Sequence, residues 1–305
     1  MDAIEARNLS KSFGPVTAVD DVSITIPEGG IFGFLGPNGA GKTTTIRMIT
    51  GVLIPDAGTV RILGTDVQKD PLTAKLKMGV IPENGTVYSD LTAEQNILLA
   101  AKFYGMDKVS REERAAEILE RLGLTERKND YVRTFSKGMR QRISIACAIV
   151  HSPPVLILDE PTTGLDVYSR RLVIDTIRHM NHEGSTILLT THNIEEANEL
   201  CSKISVINTG RIVATDSPER LKKTFDTSRY VEVSFDQAVG PGIFTSPGIT
   251  RAELWGDKWR VYTDDPDLAV KYIASVAEQK RLTIVSIATS SPTLEEAFVR
   301  LTAGA

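Results

Sequence analysis

Gly36-Pro37-Asn38-Gly39-Ala40-Gly41-Lys42-Thr43 is a complete phosphate-loop pattern. The continuous apolar run Ile31-Phe32-Gly33-Phe34-Leu35 precedes it and a helical run over residues 44–49 follows, the strand, loop and helix context that gives the pattern weight. Its glycines let backbone N–H groups converge on the β- and γ-phosphates of a nucleotide at a helix N-terminus, where the dipole also favours anions. Lys42 adds a positive charge for the same oxygens, and the Thr43 hydroxyl is placed to ligate Mg²⁺. The competing reading is a plain glycine-rich turn before a helix. It loses because every position is filled and both flanks are right.

Working outward, Val155-Leu156-Ile157-Leu158 runs directly into Asp159-Glu160-Pro161. A strand buried on both faces would deliver two carboxylates to its C-terminal end, where ligands collect in α/β sheets. Neighbours on a strand point opposite ways, so the pair divides its work. Asp159 is expected to hold Mg²⁺ or its water, and Glu160 to polarise the attacking water. Alone, an apolar strand ending in Asp-Glu is most often structural. Thr190-Thr191-His192 ends another apolar run, residues 186–190, so His192 is expected to reach the γ-phosphate; an isolated histidine there would more often be structural. Ser136 caps a helix over residues 143–150, and a capped helix start that contains glycine is also an anion site.

The whole chain has 305 residues, 41% hydrophobic and 24% charged, enough for a core of one large and one small domain. Thirty-five basic against thirty-nine acidic residues leave a charge of −4, without the basic excess that binds nucleic acid. No apolar stretch approaches the roughly 18 to 20 residues that span a bilayer, and no signal segment opens the sequence. A cytoplasmic chain is expected unless another subunit holds it elsewhere. Cys147 and Cys201 lie apart in apolar surroundings and read as inert buried thiols.

Residues 4–8 and 22–26 read as antiparallel strands, as does 204–207 paired with 211–214, together forming an edge layer beside a largely parallel core. Residues 94–124 turn helical, with Ala115, Ile118, Leu119 and Leu122 on one face. After Phe225 come strands at 230–235, 252–255 and 259–262, a helix at 268–278, a strand at 283–287 and a helix at 293–301. The expected division is an α/β domain over residues 1–224, with a helical insertion at about 85–150, and a small α+β domain over 225–305.

The order of these motifs resembles the ATP-binding subunits of ABC transporters, P-loop ATPases with an antiparallel β layer and a helical insertion. GPNGAGKTT (Gly36 to Thr44) is similar to their Walker A motif and VLILDEP (Val155 to Pro161) to Walker B. FSKGMRQR (Phe135 to Arg142) stands at the signature, Thr163-Gly164-Leu165-Asp166 at the D-loop and Thr191-His192 at the switch histidine. The resemblance covers roughly the first 220 residues. It implies head-to-tail pairing of two such subunits, identical or not, with each ATP between the Walker A of one and the signature of the other. Ser136 and Gly138 would then meet the partner's γ-phosphate, and Phe13 would stack on adenine.

Two positions depart from the family pattern. Phe135, Lys137 and Met139 replace the Leu, first Gly and Gln of LSGGQ, and Glu83 stands where the Q-loop has Gln. Glu83 remains a candidate magnesium ligand, with added negative charge beside Asp159 and Glu160. FSKGM, Ile81-Pro82-Glu83 and the tail Ser291 to Leu301 look like the ABC-2 branch of exporters, similar to daunorubicin-resistance and sodium-extrusion subunits. The resemblance implies a Mg²⁺-dependent ATPase peripheral to the inner face of the cell membrane, driving a separate integral-membrane permease, with contacts through Val87 to Leu91 and the helical insertion. A soluble ABC ATPase acting on a macromolecular complex is the alternative, but the linker or coiled coil of such proteins does not appear.

Overall fold

A computed structural model describes residues 2–83, 87–224, 229–290 and 294–303. These form two compact units, one reaching Pro218 and one running from Glu219 to Ala303.

In the first unit, β1 (Asp2–Phe13) and β2 (Val16–Pro27) form a long hairpin. β3 (Ile31–Leu35) leads through the glycine-rich loop into α1 (Lys42–Ile49). β4 (Ala57–Ile62), β5 (Thr65–Asp66), α2 (Pro71–Leu76) and β6 (Met78–Ile81) follow. Three helices come next: α3 (Ala93–Phe103), α4 (Lys108–Arg121) and α5 (Lys137–Ile149). The chain then alternates β7 (Val155–Asp159), α6 (Val167–His182), β8 (Thr186–Thr191) and α7 (Ile194–Leu200), before β9 (Lys203–Asn208) and β10 (Arg211–Asp216).

The core sheet has six strands in the order β10-β9-β3-β8-β7-β6. β3, β7 and β8 are buried at every residue, which is why their sequences are apolar or threonine runs, broken only by Asp159 at the end of β7. β2 instead alternates, burying Val22, Ile24 and Ile26 while Ser23, Thr25 and Pro27 face out, as a half-covered antiparallel strand must. It belongs to a second sheet, ordered β2-β1-β4-β5. Between the sheets lies one core, where Ile46, Met48 and Ile49 of α1 join Phe34 and Leu188 on one side and Ile4, Ile24 and Val60 on the other.

One strand departs from the expected edge layer. β9 pairs in parallel with β3, through Gly33↔Ile204 and Leu35↔Val206, so it extends the core sheet; β10 alone runs antiparallel there. A tight turn signal at Asn208-Thr209-Gly210 marks the hairpin but says nothing about which sheet receives its first strand.

α4 buries Ala115, Ile118 and Leu119 on one face, and Arg142 of α5 donates to Leu122 O at 2.9 Å, fastening the end of α4 to α5. α3 opens with a capping box between Thr92 and Gln95, an arrangement that stabilises by about 1 kcal/mol. Buried Asn96 receives Tyr88 N–H at 2.7 Å and donates to Tyr88 O at 3.0 Å, fixing the backbone of the segment that enters this helix.

The second unit opens with α8 (Pro218–Thr224), whose first residue belongs to the first unit. An antiparallel sheet follows, with β11 (Tyr230–Phe235), β12 (Ile249–Trp255) and β13 (Lys258–Thr263), then α9 (Pro266–Lys280), β14 (Ile284–Ser290) and α10 (Leu294–Ala303). Val231, Val233, Trp259 and Val261 pack with Ala269 and Ile273 of α9. Residues 291–293 of the exporter-like tail lie outside the described residues, as does Phe225. No helix among the described residues is long and apolar enough to cross a membrane.

Candidate nucleotide site

The parallel register brings the C-terminal ends of β3, β8 and β7 level with one another. Leu35 pairs with Thr191, and Asp159 pairs with Thr190. The loop, the two carboxylates and the histidine therefore emerge along one edge of the core sheet, the position where α/β folds bind ligands.

Side-chain and backbone bonds hold the loop in shape. Lys42 Nζ donates to Gly36 O at 2.8 Å and to Pro37 O at 3.1 Å, so its side chain curls back over the loop. Gly41 caps α1 with φ of 104° and no side-chain bond. A Cβ on Gly41 would lie 2.5 Å from Ala18 O, so both the dihedral and the space require glycine. Thr45 N–H makes the return bond to Gly41 O at 2.9 Å, leaving the N–H groups of the preceding first turn to point out of the helix, which concentrates positive potential there.

Glu160 is not the strand residue expected from alternation. β7 ends at Asp159, and Glu160 takes φ of 53°, turning its side chain by a left-handed step at the strand end. Its N–H is held by Thr190 Oγ1 at 2.9 Å. The same hydroxyl donates to Asp159 Oδ1 at 2.6 Å, so Thr190 anchors both acidic residues from the next strand. Neither bond is visible in the sequence.

Glu160 is 9% exposed, and both of its carboxyl oxygens have partners. Oε1 lies 3.4 Å from Lys42 Nζ, while Oε2 receives Thr163 Oγ1 at 2.6 Å and lies 2.5 Å from His192 Nδ1. Burial pushes this carboxyl's pKa upward, but the Thr163 hydrogen bond, the Lys42 charge and His192 outweigh it. The net effect holds Glu160 below the ordinary glutamate value and favours its ionised form. The sequence pointed to Glu160 and His192 separately; the close contact between them is a tertiary fact.

Asn38, Gly39, Gly41, Lys42, Thr43, Thr44, Glu83, Glu160 and His192 line one cleft of about 320 Å³, together with Ala18 and Thr163. Gly36, Pro37 and Ala40 complete the loop behind this lining, with Pro37 O accepting Ala40 N–H at 3.2 Å. Asp159 sits one step behind the wall, 2% exposed. The hard oxygen donors Thr43 and Glu83 on the wall, with Asp159 behind, match the chemistry Mg²⁺ requires.

Four expected residues lie elsewhere. Phe13 is 52% exposed at the tip of the β1–β2 hairpin, with Lys11 above its ring. Ser136 is exposed and uses its hydroxyl to accept Met139 N–H at 3.2 Å, capping α5. Gly138 is buried against α6, where a Cβ would come within 2.3 Å of Ser169 Oγ. Asp166 caps α6 through Ser169 N–H at 2.8 Å, and this bond depresses its pKa. None of these four lines the cleft. Lys137 and Glu83 instead border a second hollow of about 200 Å³, with Arg140 and Thr163.

Cys201 is buried and Cys147 is partly so, rather than fully buried as expected. Burial pushes the Cys147 thiol up to about 12, and Cys201 upward also, so both stay protonated.

The ABC transporter family matches residues 19–163. The linearmycin resistance ATP-binding protein of Bacillus subtilis is 34% identical over 98% of this chain and 98% of its own. The daunorubicin/doxorubicin resistance ATP-binding protein of Streptomyces peucetius is 40% identical over 74% of this chain and 68% of its own. A solved dimeric ATP-binding cassette in a post-hydrolysis state, bound to ADP and phosphate, superposes with a TM-score of 0.65 at 27% identity, over 70% of this chain and 98% of that one. With its phosphate loop, acidic strand end and histidine aligned on one sheet edge, the chain belongs to the ATP-binding proteins of ABC transporters, in the branch of ABC-2-type exporters, and is an ATPase.

Proposed function

We propose that this chain drives a separate membrane permease by closing and reopening a pair of ATP-binding subunits. The observation that carries the reading is the linked set of Lys42, at the start of α1, with Glu160 and His192, just beyond the ends of the adjoining strands β7 and β8. ATP phosphates entering the loop draw Lys42 from Gly36 O and Pro37 O onto themselves, supported by the first-turn N–H groups of α1. Glu160, ionised, accepts a proton from the attacking water, while His192 holds the carboxyl in place and senses the γ-phosphate. When bound, Mg²⁺ would be held by Thr43, Asp159 and Glu83 and would neutralise phosphate charge.

Phe13 stacks on the base from the hairpin tip, a contact that gives affinity with little base selection. Ser136, Gly138 and Asp166, outside the chain's own cleft, serve the nucleotide of a second subunit, identical or related. The dimeric form of the solved cassette supports this arrangement. The permease makes contact through the segment from Val87 to Leu91, whose backbone Asn96 fixes, and through the helices that follow. This positions the chain on the inner face of the cell membrane.

Isolation of the tagged full chain from detergent-solubilised membranes tests the reading. An integral-membrane partner that stimulates ATP hydrolysis is the expected result. Recovery only with a soluble assembly such as ribosomes or chromosomal complexes, and stimulation by that assembly, would overturn it.

A further inference from the structure

Glu196, in the first turn of α7, is 1% exposed. Its Oε1 receives Thr162 Oγ1 at 2.7 Å, and its Oε2 receives Thr191 Oγ1 at 2.8 Å. Its own N–H is held by Asn193 Oδ1 at 3.0 Å, and Asn193 N–H returns to Thr191 Oγ1 at 2.9 Å. Glu196 thus closes a small ring of hydrogen bonds around the turn that presents His192.

The two threonines are not arbitrary partners. Thr162 immediately precedes Thr163, and Thr191 immediately precedes His192. Thr163 and His192 are the two groups that meet Glu160 Oε2, at 2.6 Å and 2.5 Å. A single carboxyl group therefore ties together, one oxygen each, the residues behind the two side chains that hold Glu160. The segments it joins leave different strands, and a buried acceptor pair between them sets their separation.

We propose that Glu196 is a positioning residue for hydrolysis, acting through Thr162 and Thr191 to hold Thr163 and His192 at their bonding distances from Glu160. This rests on the reading that Glu160 activates the attacking water. A merely structural role for Glu196, stabilising α7, would alter melting temperature without separating kcat from KM. A positioning role lowers kcat while leaving ATP binding at the loop unchanged, because none of the ring's hydrogen bonds reaches a residue from Gly36 to Thr44.

The test compares Glu196→Gln, Thr162→Val and Thr162→Ser in the full-length chain, with Glu160→Gln as reference, recording kcat, KM for MgATP and melting temperature. Misplacement of groups around the reacting water lowers rates by about tenfold to a hundredfold. That loss in kcat is expected for Glu196→Gln and Thr162→Val, at unchanged KM, whereas Thr162→Ser restores the hydroxyl and the parent rate. Thr162→Val decides the matter if Glu196→Gln fails to fold. Parental kcat in Thr162→Val, or equal losses in the Val and Ser variants, would overturn the proposal. Full hydrolysis by Glu160→Gln would instead remove the reading beneath it.

Discussion

The helices beginning at Lys42 and Lys137 both follow a residue without a charged cap, both carry a glycine at or near the first turn, and neither has an acid in that turn. They meet different surroundings. The start of α1 faces a cleft in which Lys42 is 6% exposed and paired with Glu160, and its cap is a bare glycine whose neighbours leave the N–H groups free for an anion. The start of α5 spends its cap hydroxyl on Met139 and presents Ser136 and Lys137 to solvent. The α1 start lines the larger cleft together with Glu160 and His192, while the α5 start reaches only the smaller hollow, through Lys137. Gly138 sharpens the contrast, because its packing against Ser169 requires glycine whether or not any phosphate comes near.

The comparison can be broken most severely at Glu160. Glu160→Gln should lower hydrolysis by about a hundredfold to ten-thousandfold while ATP still binds, and should lengthen the lifetime of the closed dimer on size exclusion with ATP. Equal dimer lifetimes for variant and parent would count against the role given to this residue.

A smaller effect separates the two helix starts. Lys42→Ala should weaken ATP binding about a hundredfold, measured by calorimetry, because charged contacts to the phosphates are lost. Ser136→Ala should leave the affinity of the isolated chain for ATP unchanged, lower dimer-dependent hydrolysis, and cost about 1 kcal/mol of stability through the lost cap. A matching drop in affinity for both variants would show that the α5 end serves its own chain's nucleotide.

The smallest expected change concerns pH. Thr163 donates one of the bonds that keep the Glu160 carboxyl below its ordinary value. Thr163→Val removes that support, so the carboxyl takes up a proton at higher pH and the acid limb of the rate profile moves upward in pH. An unmoved limb, at unchanged folding, would detach Thr163 from Glu160.

Much of the fold is legible because burial writes itself into composition. Residues 31–35, 155–158 and 186–190 read as buried strands, and each is one. The place of β9 is less legible, since its hairpin partner is local but its sheet neighbour β3 lies far back in the chain. The site divides in the same way. Gly36 to Thr43 is a contiguous motif with its geometry implied by its residue types, whereas the roles of Thr190 and Thr163 in holding Glu160 depend on side-chain bonds across the fold. The apolar run around Cys147 reads as interior, but on α5 this residue is only partly buried.

By itself the sequence determined the chemical parts: a phosphate loop, an acidic strand end, a histidine and a capped helix in an order that a family shares. Local pattern suffices for these, because glycine content, apolar runs and cap residues act over a few positions. Only the tertiary structure decided that Glu160 leaves its strand in a left-handed turn and meets Lys42 and His192 at one point, in a cleft that Ser136 and Gly138 do not line. Those relations follow from strand register and side-chain hydrogen bonds between segments distant in the chain, which no local pattern encodes.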